Sequence, residues 1–325
     1  MEEMNHDQAH ELLERLVSRI ERVIVGKRAE IELILVSMLC GGHVLLEDVP
    51  GVGKTRLVRT LAACVGGSFG RIQFTSDLMP ADVTGVTVYH PQSANFEFRS
   101  GPIYANIVLA DELNRAAPRT QSALLEAMEE RKVTVDGVTR PLPEPFLLFA
   151  TQNPLEYEGT YRLPEAQLDR FLMRLSLGYP EPEQELEMLG RLSDPWATAG
   201  IKPIMLPEEI AAIQRHARTV LVDDRIKRYL VYVADASRRH PQVSLGISPR
   251  GTLSWLAASQ ALAFYKGRSY AVPDDVKLVA EPVLAHRLIL TGEARISGLQ
   301  SRQVIAELLN NMEVPVFHRT TGVPS

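Results

Sequence analysis

Five short apolar runs limit most strongly what this chain can become. They are HVLLE (43–47), RIQFT (71–75), IVLA (107–110), FLLFAT (146–151) and MRLSL (173–177). Each is too short for an ordinary helix, and together they read as buried strands. Between them lie segments with helical spacing, notably 54–65 and RTQSALLEAMEER (119–131), where Leu124, Leu125 and Met128 share one face. Strands that alternate with helices predict an α/β fold, a mostly parallel five-stranded sheet covered on both faces.

Two segments interrupt that alternation. GVTVYHPQSANFEF (85–98) places Val86, Val88, Phe96 and Phe98 around a turn-rich centre, and KVTVDGVTR (132–140) carries the turn dipeptide Asp136-Gly137. Both read as inserted β-hairpins. Ahead of the first strand, residues 11–23 and 28–39 have helical periodicity. After YPEPEQE (179–185) the pattern becomes almost wholly helical. A domain boundary is expected between 180 and 200, giving an α/β core over 1–190 and a helical domain over 191–325.

Charge narrows the function. The first 200 residues carry a net −10 and the remaining 125 a net +5. An acidic core argues against direct binding to nucleic acid backbones. The opening MEEMNHDQAH is acidic and polar rather than basic then apolar, so no secretory signal is expected. The most apolar stretch, Leu33 to Gly42, is too short for a transmembrane segment, and a cytoplasmic location is expected. Cys40 and Cys64 are read as buried hydrophobes, with no metal-ligand spacing.

The chemistry starts with LLEDVPGVGKTRLV (45–58), a strand candidate, a glycine loop and a helix candidate. Backbone N–H groups and a helix N-terminus converge on an anion in such a loop. Pro50, Gly51, Val52, Gly53, Lys54, Thr55 and Arg56 would surround the phosphates, with Lys54 on the β- and γ-phosphates and Thr55 on Mg²⁺. Asp48 stands where the usual spacing has a glycine. It is expected to fit the strand exit as a turn-tolerant residue, with a side chain that points away from the phosphates or holds the loop.

Four further positions carry the site. In NIVLADELNR, Asp111 and Glu112 follow a buried strand, where carboxylates are costly unless an ion or network uses them. They are read as a magnesium-shell residue and a water-polarising base, or as an acidic helix cap. Asn153 in FATQNP orients the attacking water or makes an Asn-Pro turn. Arg170 in AQLDRF pairs with Asp169 or reaches a neighbouring subunit's γ-phosphate. Arg250 sits in the first turn of a helix capped by Ser248 and begun by Pro249. A cation there opposes the helix dipole, so it meets an anion or is simply solvated.

In this order, with both hairpins in place, the motifs resemble the AAA+ ATPases and, more narrowly, the MoxR family, over about residues 10–315. The most specific strings are LLEDVPGVGKT, QFTSDLMPADVTG, LADELNRAAPRTQSALLEAMEE, ATQNPLEYEGTY and LPEAQLDRF. The resemblance implies an AAA+ core followed by an all-α lid, with ATP and Mg²⁺ as ligands. It implies Gly51 to Thr55 as Walker A, Asp111 and Glu112 as Walker B, Asn153 as sensor 1 and Arg250 as sensor 2. Val25 and Gly26 would contact adenine, and Arg170 would act as the finger in trans, with Arg174 and Arg115 as rivals. The hairpins would face the pore of a homo-oligomeric, six-membered ring. Ser100 in RSGP and Arg162 in TYRLPEAQ depart from the proline expected at both places.

The function so implied is an ATPase with a chaperone-like role, maturing or remodelling client proteins, with von Willebrand A domains as leading partners. A nucleic-acid motor and a nucleotide-gated scaffold are the alternatives. The acidic core opposes the first, and Glu112 with Asn153 opposes the second.

Overall fold

The computed structural model describes residues 6–92, 94–154, 159–190 and 201–313. By contact the chain divides into two compact units, Met1–Thr219 with Tyr265–Gly267, and Val220–Phe264 with Arg268–Ser325. The expected boundary runs into residues 191–200, which lie outside the described residues, as do LEYE (155–158) of one family string and residues 314–325.

The first unit opens with helices α1 (His6–Glu21) and α2 (Arg28–Cys40). Strand β1 (Val44–Glu47) then leads through the glycine loop into α3 (Lys54–Cys64), and β2 (Phe69–Gln73) follows. Helix α4 (Pro80–Thr84) precedes the hairpin β3 (Gly85–His90) and β4 (Asn95–Ser100). Strand β5 (Ile107–Asp111) and helix α5 (Pro118–Glu130) come next, then the hairpin β6 (Lys132–Val135) and β7 (Val138–Pro141). The unit continues through β8 (Leu147–Gln152), α6 (Glu165–Leu168), β9 (Met173–Leu175), α7 (Pro182–Gly190) and α8 (Pro207–Ala217).

Strands β2, β5, β8, β1 and β9 form one sheet in that order, with every neighbouring pair parallel. Both faces are buried, as the apolar runs require. On one face Leu45, Val108, Ala110, Leu148 and Ala150 join Leu124, Leu125 and Met128 of α5 in a single core with Phe146 and Phe171. The alternate residues Val44, Leu46, Leu109 and Phe149 are equally buried on the other, as are Leu57, Val58 and Leu61 of α3.

Two expectations shift. Strand β2 begins at Phe69, two residues before the expected start, because Gly70 is part of it. A Cβ at Gly70 would lie 2.2 Å from the Pro102 carbonyl oxygen, and only glycine permits that approach. Helix α1 already runs from His6, where one apolar residue, Ala9, gives no periodicity to read. Both hairpins are antiparallel pairs with the expected positions, and the Arg140 guanidinium of one sits 3.8 Å from the ring centre of Phe98 in the other.

The second unit contains α9 (Asp224–Arg239), β10 (Val243–Leu245), α10 (Pro249–Tyr265) as far as Phe264, α11 (Pro273–Leu284), β11 (Ile289–Leu290), α12 (Gly292–Ile296) and α13 (Ser301–Asn311). Strands β10 and β11 pair antiparallel, a small departure from a purely helical lid that segments this short do not announce in sequence. Trp255 is fully buried, and its indole N–H donates to the Val276 carbonyl at 2.8 Å. The buried Asp275 carboxylate takes both arms of Arg268.

His43, just before β1, is buried inside the first unit. Its Nδ1 accepts from the Leu148 N–H at 3.0 Å, and its Nε2 donates to the Met128 carbonyl at 3.2 Å. Burial pushes its pKa down to about 4, against an opposing pull from the Met128 bond. The unfolded chain, with the ring near its ordinary 6.5, therefore takes up this proton first as pH falls. The contribution is complete above that value and is lost on descending to about pH 4. We expect wild-type unfolding free energy to fall by about 3 kcal/mol more than that of His43→Leu across this window, read by urea titration at each pH.

Candidate functional site

The carboxyl ends of β5, β8 and β1 are neighbours in the sheet, and register brings them level, with Gln73 opposite Asp111 and Glu47 opposite Gln152. Ligands of open α/β sheets sit outside such strand ends. Gly51 and Gly53 have φ of +90° and +93°, conformations that side chains rarely adopt, and a Cβ on either would meet nothing within 4 Å. The loop thus curls around open space at the N-terminus of α3. Pro50, Gly51 and Arg56 are exposed, and Val52, Gly53, Lys54 and Thr55 are half-buried.

Lys54 bends back on its own loop. Its ammonium donates to the Asp48 carbonyl at 2.6 Å and the Val49 carbonyl at 3.1 Å. Burial lowers its pKa, against the fields of Asp48, Asp111 and Glu112. The Asp48 side chain turns the other way. Its carboxylate accepts from the Ser176 hydroxyl at 2.8 Å, the Leu177 N–H at 2.5 Å and the Gly178 N–H at 3.2 Å. Asp48 is therefore a clasp that ties the entry of the glycine loop to the turn after β9.

Asp111 ends β5 and is buried. Its Oδ1 accepts from the Thr151 hydroxyl at 2.7 Å, and its Oδ2 accepts from Thr55 at 3.3 Å and from Arg71 at 2.7 Å. Glu112 has a left-handed backbone, φ +59°, unusual for a residue with a side chain. The Thr151 hydroxyl fixes it by accepting the Glu112 N–H at 2.8 Å. The Glu112 carboxylate accepts from the Gln73 amide at 2.8 Å and pairs with Arg115 at 3.2 Å. Asn153 follows β8 directly, and its carbonyl accepts from the Asn114 amide at 3.3 Å.

Thr55 and Asp111 present hard oxygens side by side, a donor set that suits Mg²⁺, with phosphate oxygens and water to complete the shell. Among the described residues no cluster of three or more His, Cys, Asp or Glu is gathered to hold an ion. Among the described residues the buried side-chain oxygens of Asn114 and Gln152 have no partner and remain as acceptors near the same strand ends.

Val25 is buried, and Gly26, at φ +70°, lies against the Gln184 amide, which a Cβ at Gly26 would overlap. Arg170 donates to the Leu125 carbonyl at 2.7 Å and pairs with Glu129 at 3.2 Å, so α5 holds it where a pair with Asp169 was one expectation. Arg174 pairs with Glu47 at 3.2 Å. Arg250 lies in the first turn of α10 and is exposed, and the Ser248 hydroxyl caps that turn through the Gly251 N–H at 3.0 Å. Sequence reasoning missed Arg71, Gln73, Asn114 and Thr151. The available signal was the i, i+2 pair of polar residues in RIQFT, which shares one face of a strand.

Residues 43–173 match the model of the ATPase family associated with various cellular activities (AAA), and residues 235–308 match the AAA lid domain. Chaperone MoxR1 of Mycobacterium tuberculosis is 44% identical over 312 residues, covering 93% of this chain and 82% of that protein. Protein MoxR of Paracoccus denitrificans is 32% identical, covering 83% and 86%. The chain belongs to the MoxR family of AAA+ ATPases. YeaC of Bacillus subtilis is 50% identical over 307 residues, covering 94% of this chain and 96% of its own length. The crystal structure of a candidate ATPase from Cytophaga hutchinsonii superposes with a TM-score of 0.90 at 37% identity, covering 96% of this chain and 97% of that one. The α/β core with a helical lid is thus the architecture of this MoxR-family chain.

Two substitutions test the local structure. Asp48→Gly brings the loop to the commoner glycine spacing yet strands the Leu177 and Gly178 N–H groups, and we expect a loss of about 2–4 kcal/mol by chemical denaturation. Thr151→Val keeps the side-chain shape and removes both hydroxyl bonds. It should cost about 1–3 kcal/mol in the same measurement.

Proposed function

We propose that the protein hydrolyses ATP with Mg²⁺ and uses the cycle to remodel or mature client proteins. The observation that carries this reading is the meeting of Thr55, Asp111 and Glu112 at the strand ends beside an open glycine loop. Bound Mg²⁺ would neutralise charge on the β- and γ-phosphates, held by Thr55 and Asp111. The N–H groups that open α3 would cradle the phosphates, and Lys54 would leave the Asp48 and Val49 carbonyls to reach them. Glu112 would take the proton of the attacking water, with Asn153 orienting it. Val25 and Gly26 would meet adenine.

The remaining steps rest on assembly. The subunits would form a homo-oligomeric ring, of six members in our reading, in which a neighbour's arginine completes each site. Arg170, Arg115 and Arg174 each pair with a carboxylate of their own chain, Glu129, Glu112 and Glu47, so these contacts do not rank them, and the family resemblance makes Arg170 our choice. Arg250 of the lid would report loss of the γ-phosphate, and the hairpins would pass the motion to a client. Exposed Tyr89 and Phe96, with ring centres 5.1 Å apart, give the first hairpin an apolar tip for contact. The name Chaperone MoxR1 of one relative supports a client-directed role, and partners with von Willebrand A domains are the first to test. Among the described residues no helix is long and apolar enough to cross a membrane, in keeping with a cytoplasmic location.

Glu112→Gln tests the reading. Turnover should fall by at least about 100-fold while MgATP binding persists. Native mass spectrometry of that variant, purified from its own cells in MgATP, should show a hexamer-sized species carrying a defined protein. A bare monomer with ATP bound would overturn the ring and client steps, and full turnover would overturn the role of Glu112.

A further inference from the structure

We propose that Arg71 is a metal-responsive positioning residue, which occupies Asp111 when no divalent cation is bound and thereby holds Glu112 in reserve. The proposal rests on the ATPase reading above and adds a control built into the same site. Strand β2 lies at the sheet edge, and Arg71 and Gln73 project from the same face of it. One nitrogen, Arg71 Nη2, lies 2.7 Å from Asp111 Oδ2 and 2.8 Å from the Gln73 side-chain oxygen. The Gln73 amide nitrogen lies 2.8 Å from Glu112 Oε2. A single guanidinium thus joins the carboxylate proposed for the metal to the amide that grips the proposed base.

The carboxylate geometry makes the two cations compete. Asp111 Oδ1 is taken by the Thr151 hydroxyl, so Oδ2, facing Thr55, is the oxygen open to an ion. Arg71 already sits on that oxygen as its salt-bridge partner. A dication and a guanidinium on one oxygen would repel each other in a partly buried site, where their interaction is only weakly screened. Thr55 and a phosphate would add oxygens for a divalent cation at Asp111 Oδ2, and Arg71 would then give up its place there. Arg71 has an exposed path by which to leave, since 42% of its side-chain surface is accessible. Its departure removes the donor that fixes the Gln73 oxygen, so the amide can turn and Glu112 is released toward its water. Without metal the same arginine cancels the Asp111 charge, which would otherwise face an incoming phosphate.

The test measures binding and needs no turnover. Mn²⁺ serves as the metal probe, followed by electron paramagnetic resonance in the presence of saturating ADP. A fluorescent ADP analogue reports nucleotide affinity in EDTA. Arg71→Gln should bind Mn²⁺ about three- to tenfold more tightly than wild type and bind metal-free nucleotide several-fold more weakly. Arg71→Lys restores the competing charge and should return the Mn²⁺ affinity to within about twofold of wild type. A merely structural arginine would move neither quantity in this paired, opposite way. If Arg71→Gln fails to fold, Arg71→Lys and Arg71→Met carry the same comparison between charged and neutral side chains. Equal Mn²⁺ and metal-free nucleotide affinities in wild type and neutral variants overturn the proposal and leave the ATPase reading intact. Wild type that binds neither MgATP nor Mn²⁺ with ADP overturns both.

Discussion

A carboxylate at the end of a fully buried strand cannot be left alone, and much of the site answers the charge of Asp111. Thr151, Thr55 and Arg71 reach it from three different strands or helices, so one charge draws β8, α3 and β2 together at a common level. Thr151 does two things with one oxygen, donating to Asp111 and accepting from the Glu112 N–H. That second bond helps hold Glu112 in a left-handed conformation that costs on the order of 1–3 kcal/mol and persists only where its surroundings fix it. Charge compensation and backbone strain are therefore parts of a single arrangement.

The glycine loop depends on a second carboxylate that does no chemistry. Where a glycine would leave the entry to the loop free, Asp48 binds it to the turn after β9 through two backbone N–H groups and one hydroxyl. Two of the three donors are main chain, so side-chain changes other than to proline in residues 176–178 leave most of the tie intact, while loss of the acceptor oxygens at position 48 removes it whole. The same geometry keeps the Asp48 charge turned toward β9 and away from the Lys54 ammonium, which meets only its carbonyl.

Much of this was legible in the sequence. Periodicity located the five strands of the sheet and both hairpins, because burial on two faces leaves an apolar run that nothing else explains. The positions of Lys54, Thr55, Asp111 and Glu112 followed from glycine spacing and from acids placed after an apolar strand. What could not be read were the contacts made across the sheet. Arg71, Gln73 and Thr151 acquire their partners only when β2, β5 and β8 become neighbours, and an edge-strand arginine looks like any solvated charge until its register is known. The direction of the Asp48 side chain was equally hidden, since its partners lie about 130 residues further along the chain. The β10–β11 pair escaped because strands of two and three residues carry no periodicity.

The contact between the hairpins has a mechanical meaning. Arg140 faces the ring of Phe98 at 3.8 Å, and Phe98 also meets Tyr104 edge to face. A cation above a ring is attracted mainly by the field of the face, with a weak preference for direction within the plane. The Arg140–Phe98 contact therefore keeps its attraction when the ring turns in its plane, whereas a ladder of hydrogen bonds would shear. The two hairpins belong to separate sheets, so a push on one reaches the other through side-chain contact, and no ladder bond has to break for one to turn against the other.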